Sequence, residues 1–208
     1  MLYNDAETGE MRVRFYGTRG SIPTPGSDYS TYGGNTTCLM VTGENGNFGI
    51  LDAGSGLRVL GDELLRDPEP DRPIPILLSH THWDHIQGFP FFKPAFDPRR
   101  KVQVVIHGRE KAKLNLQQVF AGQMDDEYFP IPLGAMGADI SFDRPDLSDV
   151  RDPEGWSVRA SLHSHPGGAY GYRLTGARGV IAYCTDVEHD GGVIDDGIVE
   201  LARDADLL

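Results

Sequence analysis

The strongest constraint on this 208-residue chain is a short apolar run that ends in a cluster of metal-type side chains. Ile76, Leu77 and Leu78 lead through Ser79 into His80-Thr81-His82-Trp83-Asp84-His85. A continuous apolar run of strand length predicts a strand buried on both faces, so the fold must supply a layer on each side of its sheet. Three of the seven histidines fall in the hexapeptide, far more than scattered histidines would place there. Alternate side chains of an extended chain share a side. His80, His82 and Asp84 are therefore expected to project together, with His85 offset where the chain turns. Imidazole nitrogens and a carboxylate suit zinc, or iron or manganese at the same kind of site. A strand end holds such ligands rigidly.

The rest of the chain reads as strands interleaved with helices, which predicts an α/β architecture of sheets packed under helices. Strands are expected at 11–17, 35–42, 48–53, 76–79, 102–107, 138–142, 156–162, 169–174 and 179–184. The second and third are joined by a Glu44-Asn45-Gly46-Asn47 turn, a hairpin signal. Leu57, Leu60, Leu64 and Leu65 at helical spacing predict a helix over 57–66. Further helices are expected over 109–120 and 194–203. The segments 20–34 and 122–137 read as loops, and 67–75 as a proline-rich connection. Residues 1–10 read as a loose lead-in and 11–208 as a single domain.

Composition narrows the function classes. The net charge of −12 argues against a long nucleic acid, because binders of such polymers carry a basic footprint. A small anionic substrate remains compatible, since a bound metal dominates the local field. No apolar run is long enough to span a membrane, and the polar, acidic start lacks the pattern of a secretory signal. The two cysteines, Cys38 and Cys184, lie in separate strand-like runs and read as reduced core thiols. The expectation is a cytoplasmic protein with no membrane partner.

Other candidates lie far from the hexapeptide in sequence. Asp186 follows an apolar strand, where a carboxylate has no packing role. His163 and His165, two apart on a strand, compete for one ligand position. His189 follows Asp186 closely enough to approach the same place. His107 ends a strand and reads as an ordinary polar residue. Trp83 is expected to pack beneath or beside the site. Phe89, Phe91 and Phe92 read equally well as a wall of the site or as core.

His-x-His-x-Asp-His after an apolar strand resembles the signature of the metallo-β-lactamase superfamily. Further motifs resemble one branch of it, which contains ribonuclease Z-like and cyclic-nucleotide phosphodiesterase-like hydrolases. These are Phe15-Tyr16-Gly17-Thr18-Arg19-Gly20-Ser21, Gly34-Asn35-Thr36-Thr37-Cys38, Leu51-Asp52-Ala53-Gly54-Ser55-Gly56 and His165-Pro166-Gly167-Gly168 with Gly171-Tyr172-Arg173. The resemblance implies an αββα sandwich, two mixed sheets flanked by helices. It implies two divalent metals, zinc first, with manganese or iron as alternatives. It assigns His80, His82 and His165 to the first metal, Asp84 and His85 to the second, and Asp186 to both, and it favours His165 over His163. Asp52 would orient a ligand histidine. The turn at Gly54 and Ser55 would bring backbone N–H groups to an anionic substrate oxygen. The implied activity is hydrolysis of a small or cyclic phosphodiester by a metal-bound hydroxide, with Asp84 as the catalytic residue.

The chain departs from that pattern at one point. The family supplies a further histidine from a C-terminal Gly-His-Ser/Thr type motif, and no histidine follows His189 here. The expectation is a fold cut short at its C-terminus, a histidine supplied by a neighbouring chain in a homo-oligomer, or an incomplete second site. A ribonuclease Z-like endonuclease and a metal-binding domain without turnover stand as alternative functions.

Overall fold

The structure is a computed structural model and describes residues 11–43, 46–107, 115–147, 156–188 and 191–208. The lead-in 1–10, His189 and the first part of the helix expected over 109–120 lie outside the described residues.

Six strands form the larger sheet, in the order β1 (Arg12–Gly17), β2 (Cys38–Thr42), β3 (Phe48–Leu51), β4 (Pro73–Leu77), β5 (Lys101–Val105) and β6 (Asp139–Asp143). The first three pair antiparallel and β3 to β6 run parallel. The smaller sheet holds β7 (Ser157–His163), β8 (Ala169–Thr175) and β9 (Val180–Tyr183), all antiparallel. A parallel bridge from Ile181 to Leu207 adds to its edge. Helices α1 (Gly56–Leu64) and α3 (Leu116–Gln123) cover the large sheet, and α4 (Asp196–Ala202) packs on the small one. Between β4 and β5 lies the four-residue helix α2 (Trp83–Ile86).

Alternation along the strands sorts residues between two cores. In β2, Cys38 and Met40 join Leu57, Leu60, Phe89, Phe92 and Phe120 under the helices, while Leu39 and Val41 point to the other face. There they meet Trp156, Val158, Tyr172 and Leu174 of the small sheet's inner side. Burial on both faces is why β2 and β3 read as unbroken apolar runs. These contacts give the layer order helix, sheet, sheet, helix.

Some boundaries differ from expectation. β4 begins at Pro73, inside the segment read as a connection. Parallel pairing to β5 spans Pro73 to Leu77, whereas β3 pairs only with Ile76 and Leu77. Proline is tolerated here because Pro75 lies beyond the stretch that β3 flanks. α3 runs to Gln123, past the expected end at 120, and starts at a capping box in which Asn115 and Gln118 exchange side-chain and backbone bonds. Phe89 and Phe92 are fully buried core, while Phe91 is exposed beside Phe129.

Candidate metal centre

The site lies at the C-terminal end of β4, where the chain leaves the large sheet and meets two turns of the small one. His80 and His82 follow β4 in extended chain, and His82 is the N-cap of α2. Asp84 and His85 ride the first turn of α2, so helical geometry, not strand alternation, brings Asp84 round. His165 sits in the turn between β7 and β8, and Asp186 follows β9.

These elements bring all six sequence-predicted ligands together. One ligand atom from each of His80, His82, His165 and Asp186 lies within 4.8 Å of the others. His165 Nε2 is 3.0 Å from His82 Nδ1. Asp186 Oδ2 is 3.6 Å from His80 Nε2, 3.6 Å from His165 Nε2 and 3.3 Å from His85 Nε2. Asp84 Oδ2 is 3.7 Å from His85 Nε2. Donors arranged tetrahedrally about a zinc ion stand roughly 3.4 Å apart. Most of these separations fall near that value.

Protonation favours the same use. Burial, reinforced by the neighbouring His85, pushes His80 down to about 4, so its ring is neutral near pH 7. Its Nε2 is buried and has no hydrogen-bond partner among the described residues. An unpaired buried nitrogen beside a carboxylate costs stability unless something else fills its lone pair. Burial, the largest single influence, would lower His85, but the hydrogen bond to Asp52 and the charges of Asp52, Asp186 and Asp84 together outweigh it and hold His85 above the ordinary value. Burial would raise Asp186, yet the Thr185 hydroxyl bond and the histidines keep it low. Three imidazoles and an ionised carboxylate facing one point fit a divalent cation.

The surrounding braces were partly missed by the sequence. Asp52 is fully buried and accepts from Ser79 N at 2.7 Å, His85 Nδ1 at 2.8 Å and the Tyr183 hydroxyl at 2.7 Å. Asp84 accepts from the backbone N–H of Ser21 at 2.7 Å. His163 is buried and its Nε2 meets the Thr185 carbonyl at 2.8 Å, while the Thr185 hydroxyl donates to Asp186. His163 thus braces the Asp186 turn, and the strand's end separates it from His165. Ser21, Asp52 and Asp186 all adopt positive φ, at 68°, 62° and 54°. Such strained backbone collects at functional sites. Ser79, Tyr183 and Ser21 have no sequence signal of their own beyond lying inside or beside the quoted motifs.

Two expectations change. Trp83 is 58% exposed rather than packed against the site, because it opens α2 on the solvent side. The N–H groups of Gly54, Ser55 and Gly56 are directed to Thr37 O, Thr36 Oγ1 and Thr36 O. They brace the loop before β2 and are spent there, not turned to a substrate. His107 is buried against Tyr172, with ring centroids 5.5 Å apart.

A family model, the beta-lactamase superfamily domain, matches residues 50–208. The chain belongs to this family. Solved structures of the metallo-β-lactamase fold agree with it in architecture. The metallo-beta-lactamase fold protein YhfI from Bacillus subtilis matches with a TM-score of 0.59 and 17% identity over 87% of this chain and 64% of that one. Human tRNase Z, short form, matches with a TM-score of 0.61 and 21% identity over 94% of this chain and 76% of that one. A diphosphatase from the PhnP family gives 0.61 and 20% over 95% and 73%. The chain thus spans just under two thirds of the length of YhfI. No curated protein sequence matches it. Membership and the histidine–aspartate cluster together imply the binding of a divalent cation. Among the described residues, no helix is long and apolar enough to cross a membrane.

Proposed function

We propose that this chain is a dinuclear metallohydrolase acting on a small or cyclic phosphodiester. The observation that carries the reading is the position of Asp186 Oδ2, within 3.3–3.6 Å of ligand nitrogens from both halves of the cluster. His80, His82 and His165 would hold one cation, Asp84 and His85 a second, and Asp186 would contact both. Two divalent cations so held, zinc first, supply a lowered pKa for water and neutralise charge developing on substrate oxygens. Asp84, held by Ser21, orients the attacking water. Asp52 fixes the His85 ring, as metal-bound imidazoles require.

The choice of substrate rests on the motif resemblance and on the kinship of fold with human tRNase Z and a PhnP-family diphosphatase. The charge of −12 favours a small substrate over a long polyanion. The test is elemental analysis with an assay on bis-p-nitrophenyl phosphate. Two metals per chain and turnover abolished by Asp84→Ala are expected. One metal and no turnover at any loading would overturn the reading.

A further inference from the structure

Beneath the proposed ligands, the Ser79 side chain touches a histidine from each half of the candidate centre. It is fully buried, and its hydroxyl oxygen lies 3.0 Å from His80 Nδ1 and 3.2 Å from His85 Nδ1. The same oxygen is 3.0 and 2.9 Å from the two carboxylate oxygens of Asp52.

We propose that Ser79 is a positioning residue that relays Asp52 to His80, so that one buried carboxylate sets the tautomer of a histidine in each half of the centre. This rests on the metal-site reading above and adds the element that prepares it. The argument is a count of protons. An ionised carboxylate only accepts. Asp52 meets donors on every side: Ser79 N, the Tyr183 hydroxyl and His85 Nδ1. The single Ser79 hydroxyl proton therefore points to Asp52. Its oxygen is left with lone pairs only, and His80 Nδ1 must be the donor across the 3.0 Å contact. The proton of neutral His80 thus sits on Nδ1, and the bare lone pair sits on Nε2. That is the buried nitrogen without a hydrogen-bond partner, 3.6 Å from Asp186. The opposite tautomer would set the lone pair of Nδ1 against that of the serine. His85 reaches the same state directly, through Asp52. Tyr183 holds the carboxylate from the small sheet and is itself paired with Thr37 at 2.9 Å.

The experiment is long-range proton–nitrogen correlation NMR on the metal-free, ¹⁵N-histidine-labelled full chain, with His80 and His85 signals assigned by single-site loss. At a pH above the raised pKa of His85, where both rings are neutral, the wild type is expected to show both as the Nδ1–H tautomer. Ser79→Ala keeps the backbone bond to Asp52, so His85 is expected to stay unchanged while His80 becomes a mixture. Zinc affinity should then fall about 10- to 100-fold, the usual effect of losing an outer partner of a ligand histidine. Ser79→Thr, which keeps the hydroxyl, is expected to restore the single tautomer. A wild-type His80 protonated at Nε2 would overturn the proposal without any variant. So would Ser79→Ala with its His80 tautomer and zinc affinity unchanged. A wild type with the stated tautomers that takes up zinc but never hydrolyses a diester would instead refute the phosphodiesterase reading and leave this one standing.

Discussion

Gly54→Ala is a sharp test of how the candidate centre is held. A β-carbon on residue 54 would lie 2.4 Å from the Asp84 carbonyl oxygen, 2.5 Å from that of Thr37 and 2.6 Å from Thr36 Oγ1. Each neighbour would have to retreat by about half an ångström or more, a small-to-large change in a filled site that costs roughly 1–3 kcal/mol. None can do so freely. Thr37 O accepts from Gly54 itself, Thr36 Oγ1 accepts from Ser55, and Asp84 O belongs to the turn that carries two proposed ligands. Backbone φ at residue 54 is not positive, so the effect is one of space alone. The upper end of the range, about 3 kcal/mol, is expected, which for a chain of this length lowers Tm by roughly 6–12 °C. Gly122→Ala is the control. Its β-carbon meets nothing within 4 Å on the surface of α3, and alanine there should gain about 0.5–1 kcal/mol. Urea titration of the metal-free proteins, followed by circular dichroism, measures both. Gly54→Ala as stable as the wild type would refute the packing argument, whatever the metal does.

Other expectations can be checked on the same material. Phe89→Ala should cost about 3–5 kcal/mol in urea titration, whereas Phe91→Ala should stay within about 1, since only Phe89 is buried. Asn115→Ala removes the capping box of α3 and should cost about 1 kcal/mol, seen in the same titration. Tyr183→Phe takes a donor from the buried Asp52 and should destabilise by about 1–3 kcal/mol. Zinc at a hundredfold excess over its Kd should add about 2.7 kcal/mol to the unfolding free energy, and a chelator should reverse the gain in a thermal melt.

Much of the fold was legible because its strands obey simple alternation. The strands β2 to β4 carry buried residues on both faces, and such runs are conspicuous without any partner in view, while β5 alternates exposed Lys101 and Gln103 with buried Val102 and Val104. The histidine-rich hexapeptide was legible for another reason: six adjacent residues concentrate one chemistry. Of the braces, Asp52 was legible through the motif resemblance, but its partners were not. Ser79 and Tyr183 are ordinary strand-end residues, and their role exists only because Asp52, far off in sequence, turns into the space between them. The backbone bond from Ser21 to Asp84 leaves no trace in residue type. Spacing also misled in two places. Period two placed His163 and His165 on one side, but β7 stops at His163 and the turn carries His165 alone to His82. Position within the motif suggested a packed Trp83, yet the start of α2 turns that ring outward.

The cluster draws its members from both sheets, and this has a bearing on the order of folding. His82 and His165, whose facing ring nitrogens are 3.0 Å apart across the site, are separated by 83 positions in the chain. No local segment can assemble such a pair, so the loop between them must close first. An ion held there would act as a tie-bar across the seam between two independently hydrogen-bonded sheets. Its release would be a sensitive gauge of that seam opening, well before either sheet comes apart.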